Sequence, residues 1–147
     1  MSYDRIRLKA RVPGALFVGG APRWAYNLPR ADLLILAARD HQPPDVNFDS
    51  IRVMRVPLDD VDEPVSPQDY ASMLAAARAA AAAIRRGKVV VSTCQAGLNR
   101  SCLIAGMAMR LLGMSADDTV NELRRARGSQ GLSNQMFEGI VRRTFPL

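Results

Sequence analysis

The chain is short of the residues that build extracellular scaffolds and metal centres. Two cysteines, Cys94 and Cys102, and one histidine, His41, occur in 147 residues. That excludes a disulfide framework and leaves no Cys/His cluster with zinc-ligand spacing, so neither a metal nor a cofactor is expected. Lysine is scarce as well: all but Lys9 and Lys88 of the 20 basic residues are arginine. Arginine suits planar, bidentate recognition of phosphate and carboxylate, although a skewed genomic base composition would also favour Arg and Ala. No apolar run approaches the roughly 18 residues of a membrane span. The alanine-rich stretch 75–83 is interrupted by Arg78 and reads as a helix. The opening MSYDRIRLKARVPG lacks the apolar centre of a secretory signal. These absences point to a soluble protein of a reducing cytoplasm, folded as one domain over 1–147.

What is present is enough to build a core. The hydrophobic fraction is 48%, and the net charge of +6 attracts anionic substrates without naming one. ALFVGG (15–20) reads as a strand and turn. ADLLILAA (31–38) reads as a buried strand, ended by a Pro-rich polar loop. IRVMRVPLDD (51–60) alternates like a strand until Pro57 breaks it into a loop. Ser66, Pro67 and Asp69 mark a helix start, and Arg85, Arg86 and Gly87 its end. KVVVST (88–93) has the valine run of a central strand buried on both faces. Helices are expected at 101–113, stopped by Gly113, and at 115–127, opened by Ser115 and Asp118. A last helix carries Met136, Phe137, Ile140 and Val141. The order implies a central sheet covered by helices.

The chemistry concentrates in VVVSTCQAGLNRS, residues 89–101. A loop between a strand and a helix N-terminus turns several backbone N–H groups toward one point, where the helix dipole adds positive potential. Gly97 supplies the tight curvature or positive φ such a cup needs. Arg100 can fold its guanidinium over the same point and grip two anion oxygens. Cys94 then lies at the base of the cup, where the same field favours a thiolate. Ser101 places a hydroxyl beside the sulfur. The amides of Gln95, Ala96, Gly97, Leu98 and Asn99 complete a phosphate-binding loop. Such an arrangement performs phosphoryl transfer through a phosphocysteine, and a general acid must then protonate the leaving oxygen.

This stretch resembles the signature loop of the cysteine-dependent protein phosphatases, His-Cys-x2-Gly-x2-Arg-Ser/Thr. It matches at Cys94, Gly97, Arg100 and Ser101. PGALFVGGA, LLILAA and IRVMRVPLDD look like the opening strands and acid loop of the compact dual-specificity branch, so the resemblance covers most of residues 12–112. It implies an α/β fold with a five-stranded, mostly parallel sheet and helices on both faces. It also implies hydrolysis of a phosphomonoester, on a protein or a small molecule, without metal. The acid is expected from PLDDVDEP. Asp60 is favoured by alignment through SPQDY, Asp62 by counting back from Cys94, and Asp59 is the third candidate. The sequence departs from the family at Thr93, where the family has histidine; a threonine hydroxyl offers one hydrogen bond and no cationic charge.

Other residues read as structural. Cys102 is a packed thiol, with a disulfide to Cys94 as its alternative. His41 is a loop surface residue, and Asn99 bonds within the loop. Arg124, Arg125 and Arg127 form a solvated face. Ser133, Asn134 and Gln135 either cap the last helix or help position water. Arg23, Trp24 and Tyr26 either line the substrate mouth or pack on an edge. Three rival functions follow from the same loop. One is a phosphate-binding module with little turnover. Another is arsenate reduction or sulfur transfer, where an acid loop is unnecessary. The third is RNA 5′-triphosphate hydrolysis, which suits a basic chain, although nothing in the sequence requires a nucleic acid.

Overall fold

The computed structural model describes residues 3–9 and 11–145. Five strands form one sheet: β1 (Tyr3–Arg5), β2 (Ala15–Gly19), β3 (Leu33–Ala38), β4 (Arg52–Leu58) and β5 (Val89–Thr93). Their spatial order is β1-β2-β5-β3-β4. Only the β1–β2 pair is antiparallel; β2–β5, β5–β3 and β3–β4 are parallel. The expected α/β class and mostly parallel five-stranded sheet are therefore what the chain adopts. β5 lies at the centre of the sheet, which is why it reads as an uninterrupted valine run. β3 is buried at all six positions for the same reason.

The strand expected to break at Pro57 continues to Leu58. β4 is an edge strand, where proline is tolerated. Its register also shifts there: Leu36 pairs with Arg55, but Ala38 pairs with Leu58. β4 thus holds one extra residue beside Pro57, a bulge that accommodates the imide.

Four α-helices accompany the sheet, α1 (Pro67–Arg85) between β4 and β5, and α2 (Arg100–Leu111), α3 (Ala116–Arg127) and α4 (Gln135–Arg143) after β5. The Ser66 and Ser115 hydroxyls accept the Asp69 and Asp118 N–H groups, each at 3.1 Å, as cap spacing requires. Asn134 caps α4 through the Phe137 N–H.

The two faces of the sheet are covered unequally. Leu16, Val18, Leu33, Ile35, Ala37 and Val90 join the buried faces of all four helices in the main core. Leu34, Leu36 and Val91 point the other way and pack with Phe48. That side is closed by short 3-10 turns, including Asp45–Phe48. Alternation along β3 sends successive side chains to opposite layers, so one strand serves both cores. The consequence for function is positional. The C-terminal ends of parallel strands β2, β3, β4 and β5 open on one edge, the usual place for a site in such a sheet.

Candidate active site

Cys94 follows β5 directly. Its N–H donates to the Gly19 carbonyl at the end of β2 (3.3 Å), which ties the start of the loop to the sheet. The residue is only 3% exposed. Gly97 has φ +70°, and a β-carbon there would sit 2.6 Å from the Gly19 carbonyl carbon. The loop thus turns tightly against β2 and enters α2 at Arg100. Ser101 is buried in the first turn of α2, with its Oγ 3.2 Å from Cys94 Sγ. Its carbonyl accepts the Ser92 hydroxyl at 2.8 Å, which fixes that turn to β5. Cys94, Gly97, Arg100 and Ser101 are therefore brought together as one strand–loop–helix unit.

The Arg100 guanidinium is held from two sides. Nη1 donates to Asp40 Oδ1 and to the Leu58 carbonyl, both at 3.0 Å. Its side chain is 11% exposed, that of Asp40 58%. Asp40 follows β3 and Leu58 ends β4, so the parallel crossovers deliver both anchors to the edge where the loop lies. The Asp40 carboxyl is held below the usual range, first by its own backbone N–H and then by Arg100.

Arg127 supports the loop from behind, at the C-terminus of α3. Nε donates to the Gly97 carbonyl at 2.9 Å and Nη2 to the Ala96 carbonyl at 3.2 Å. Nη1 reaches Asp4 of β1 at 2.7 Å. The solvated face expected of Arg124, Arg125 and Arg127 is thus corrected for Arg124 and Arg127, while Arg125 stays exposed. Arg124 binds Glu138 and the Gly131 and Leu132 carbonyls, and Arg125 binds Glu122. Arg124 and Arg127 satisfy carbonyls and carboxylates contributed by other elements, which helical spacing does not reveal, whereas Arg125 pairs with Glu122 one turn earlier on α3.

Asp60 lies just beyond β4, and both of its oxygens are engaged. Oδ2 accepts from Asn99 Nδ2 at 3.0 Å and Oδ1 from Asn134 Nδ2 at 2.9 Å. Asp60, Asp62, Asn99, Ser133, Asn134 and Gln135 line a cleft of about 440 Å³. Asp59, the third candidate, turns away into an ion pair with Arg39 at 3.1 Å. Asn99 does not bond within its own loop as expected; its side chain reaches the acid loop and residues 133–134 instead.

Thr93 donates its hydroxyl to the Ile35 carbonyl of β3 at 2.8 Å, deep in the sheet. The residue in the family's histidine position therefore serves strand pairing. Cys102 is fully buried with Sγ 3.8 Å from the Gly97 carbonyl. Burial, and then the neighbouring Cys94, push its thiol up to about 12. His41 Nε2 lies 2.6 Å from the Pro22 carbonyl. Trp24 and Tyr26 stack nearly parallel with centroids 6.4 Å apart, and both rings are exposed. Arg23, Trp24, Asp40, His41 and Asn47 contribute to a second cleft of about 440 Å³ beside the Arg100 anchor.

Sequence reading missed Asp40, Arg127 and Ser92. No motif marks them, because each acts on the loop through a contact made only in the folded chain.

No family model matches the chain, and no curated protein matches it. Solved structures do. Kinase associated phosphatase, bearing serine in place of its catalytic-site cysteine, superposes with a TM-score of 0.76 at 16% identity, covering 96% of this chain and 92% of that one. The Yvh1 phosphatase domain from Chaetomium thermophilum gives 0.70 at 19% identity, covering 96% and 94%. Human DUSP28 gives 0.64 at 25% identity, covering 84% and 91%. Among the described residues no helix is long and apolar enough to cross a membrane. A five-stranded sheet in this order, with a buried cysteine and an arginine at either end of the loop that leaves its central strand, gives the chain the fold of the cysteine-dependent dual-specificity and tyrosine phosphatases.

Proposed function

We propose that the chain hydrolyses phosphomonoesters without metal, through a phosphocysteine intermediate. The observation that carries this reading is the 3.2 Å approach of Ser101 Oγ to Cys94 Sγ at the floor of a loop whose far end is Arg100. No side chain caps the first turn of α2. Its amides and those of residues 95–99 are left to bind phosphoryl oxygens, with the helix dipole behind them. Arg100 adds a cation whose plane Asp40 and the Leu58 carbonyl set in advance.

In the first step Cys94 Sγ attacks phosphorus as a thiolate. The S–P bond forms, the ester P–O bond breaks, and Asp60 gives its proton to the leaving oxygen. Water then attacks the phosphocysteine and passes a proton to Asp60. The Cys94 thiolate leaves with the Ser101 hydroxyl donating to it. Arg100 and the amides stabilise the equatorial oxygens in both steps. The substrate is a phosphorylated protein or small phosphomonoester. Its remaining surface meets the Trp24 and Arg23 side of the mouth, where stacked exposed rings suit a planar group.

The test is hydrolysis of an aryl phosphate in chelator between pH 5 and 8. Turnover is expected, abolished by Cys94→Ser and cut about 100-fold by Asp60→Ala. Turnover that survives Cys94→Ser refutes the mechanism. One observation favours a second reading, an oxyanion-binding module with little turnover: the Thr93 hydroxyl is engaged by the Ile35 carbonyl and does not serve the loop. Arg100-dependent binding of inorganic phosphate by a wild-type chain that hydrolyses nothing would select that reading.

A further inference from the structure

We propose that Asn99 is a positioning residue for Asp60, and that with Asn134 it clamps the acid over the phosphate loop. This rests on the phosphatase reading and adds the device that orients its acid. Asn99 occupies the N-cap of α2, where an asparagine side chain ordinarily caps its own helix. Here it makes no cap bond. Instead Nδ2 donates to Asp60 Oδ2 at 3.0 Å and to Ser133 Oγ at 3.3 Å, while Oδ1 accepts the Asn134 N–H at 2.9 Å. Asn134 completes the clamp, donating from Nδ2 to Asp60 Oδ1 at 2.9 Å and to the Val61 carbonyl at 3.0 Å.

Two consequences follow. The first is geometric. Asp60 is exposed and lies on an irregular loop, where a free carboxyl would sample several rotamers. One anchor comes from the phosphate loop itself, so the acid is indexed directly to the segment that carries Cys94. The second is electrostatic. Both donors are neutral amides, so neither competes for the proton that Asp60 must carry. As that proton passes to the leaving oxygen, a charged carboxylate replaces a neutral acid, and hydrogen bonds to a charged acceptor are the stronger ones. The clamp therefore tightens along the reaction and favours the transition state over the bound substrate. It also separates the three candidates. Asp59 is tied to Arg39 and Asp62 shares the cleft, but Asp60 is the one held from both sides.

The experiment compares p-nitrophenyl phosphate, whose leaving group needs little protonation, with phenyl phosphate, whose leaving group needs it. Asn99→Ala is expected to lower kcat for phenyl phosphate about ten-fold more than for p-nitrophenyl phosphate. Inorganic tungstate, a stand-in for phosphate, should bind within about two-fold of wild type. In an Asp60→Ala background, Asn99→Ala should cost nothing further, because the two residues act as one unit. Equal losses on both substrates, full additivity with Asp60→Ala, or loss of tungstate binding would each overturn the proposal, the last by making Asn99 a loop-building residue. A wild-type chain that hydrolyses neither substrate overturns the phosphatase reading and this inference together. Wild-type turnover with equal losses overturns this inference alone.

Discussion

Replacing Gly97 by alanine tests how the phosphate loop is built. The residue has φ +70°, a conformation that costs an L-residue about 1–2 kcal/mol. The new methyl would meet three atoms: the Gly19 carbonyl carbon at 2.6 Å, Arg127 Nη2 at 2.7 Å and the Gly19 oxygen at 2.8 Å. Arg127 can swing the end of its side chain aside. The Gly19 backbone cannot, because it ends a central parallel pair and accepts the Cys94 N–H. Overpacking of this kind typically costs about 1–3 kcal/mol, so a rigid loop would lose about 2–5 kcal/mol of stability in all. If the loop moves instead, stability falls less, but Cys94 and the amides shift together. A displacement near 1 Å then costs about 100-fold in turnover. Urea denaturation measures the first effect, and kcat/KM with tungstate affinity the second. A Gly97→Ala chain within about 0.5 kcal/mol and two-fold of wild type in all three would refute this account of the loop.

Three further outcomes follow from the structure. Asp40→Ala should lower kcat/KM and tungstate affinity about ten-fold with little change in Tm, since Arg100 then keeps only the Leu58 carbonyl as an anchor. Removing a negative charge works in the opposite direction, but that carboxylate is 58% exposed and screened, so orientation decides the sign; unchanged tungstate affinity would count against it. Thr93→Val should cost about 1 kcal/mol in urea denaturation and change turnover less than two-fold, because the hydroxyl serves only the Ile35 carbonyl; a larger loss of turnover would return Thr93 to the catalytic loop. The Cys102 thiol is pushed from 9.0 up to about 12, so the folded state holds its proton more tightly than the unfolded state does. The stability this contributes is complete below the unfolded value and is lost as pH climbs toward the folded one. Stability measured from pH 8 to 11 should fall less steeply in Cys102→Ala than in wild type, and parallel curves would contradict the shift.

Much of the site was legible because its main parts are local. Cys94 to Ser101 spans one strand end, one loop and one helical turn, so residue types at fixed spacing describe nearly the whole cup. The caps at Ser66 and Ser115 and the valine run of β5 are local in the same sense. The three-residue β1 was not legible from its own pattern, because so short a segment carries no usable period and is a strand only through its pairing with β2. Nor was the passage of β4 through Pro57, which depends on that strand being an edge.

The amino-acid sequence by itself determined the fold class and the position of the nucleophile loop. Near-neighbour preferences and the alternation of burial are carried by adjacent residues. Tertiary structure decided what holds that loop and which acid faces it. Asp40 lies 60 positions from Arg100, Asp4 lies 123 from Arg127, and Asn134 lies 74 from Asp60. A polar side chain has many candidate partners along a chain, and its hydrogen bond is selected by which backbone ends arrive beside it. Parallel crossovers bring the ends of β2, β3, β4 and β5 to one edge, and α3 and α4 close over it; only that arrival makes Arg127 a brace and Asn99 a clamp.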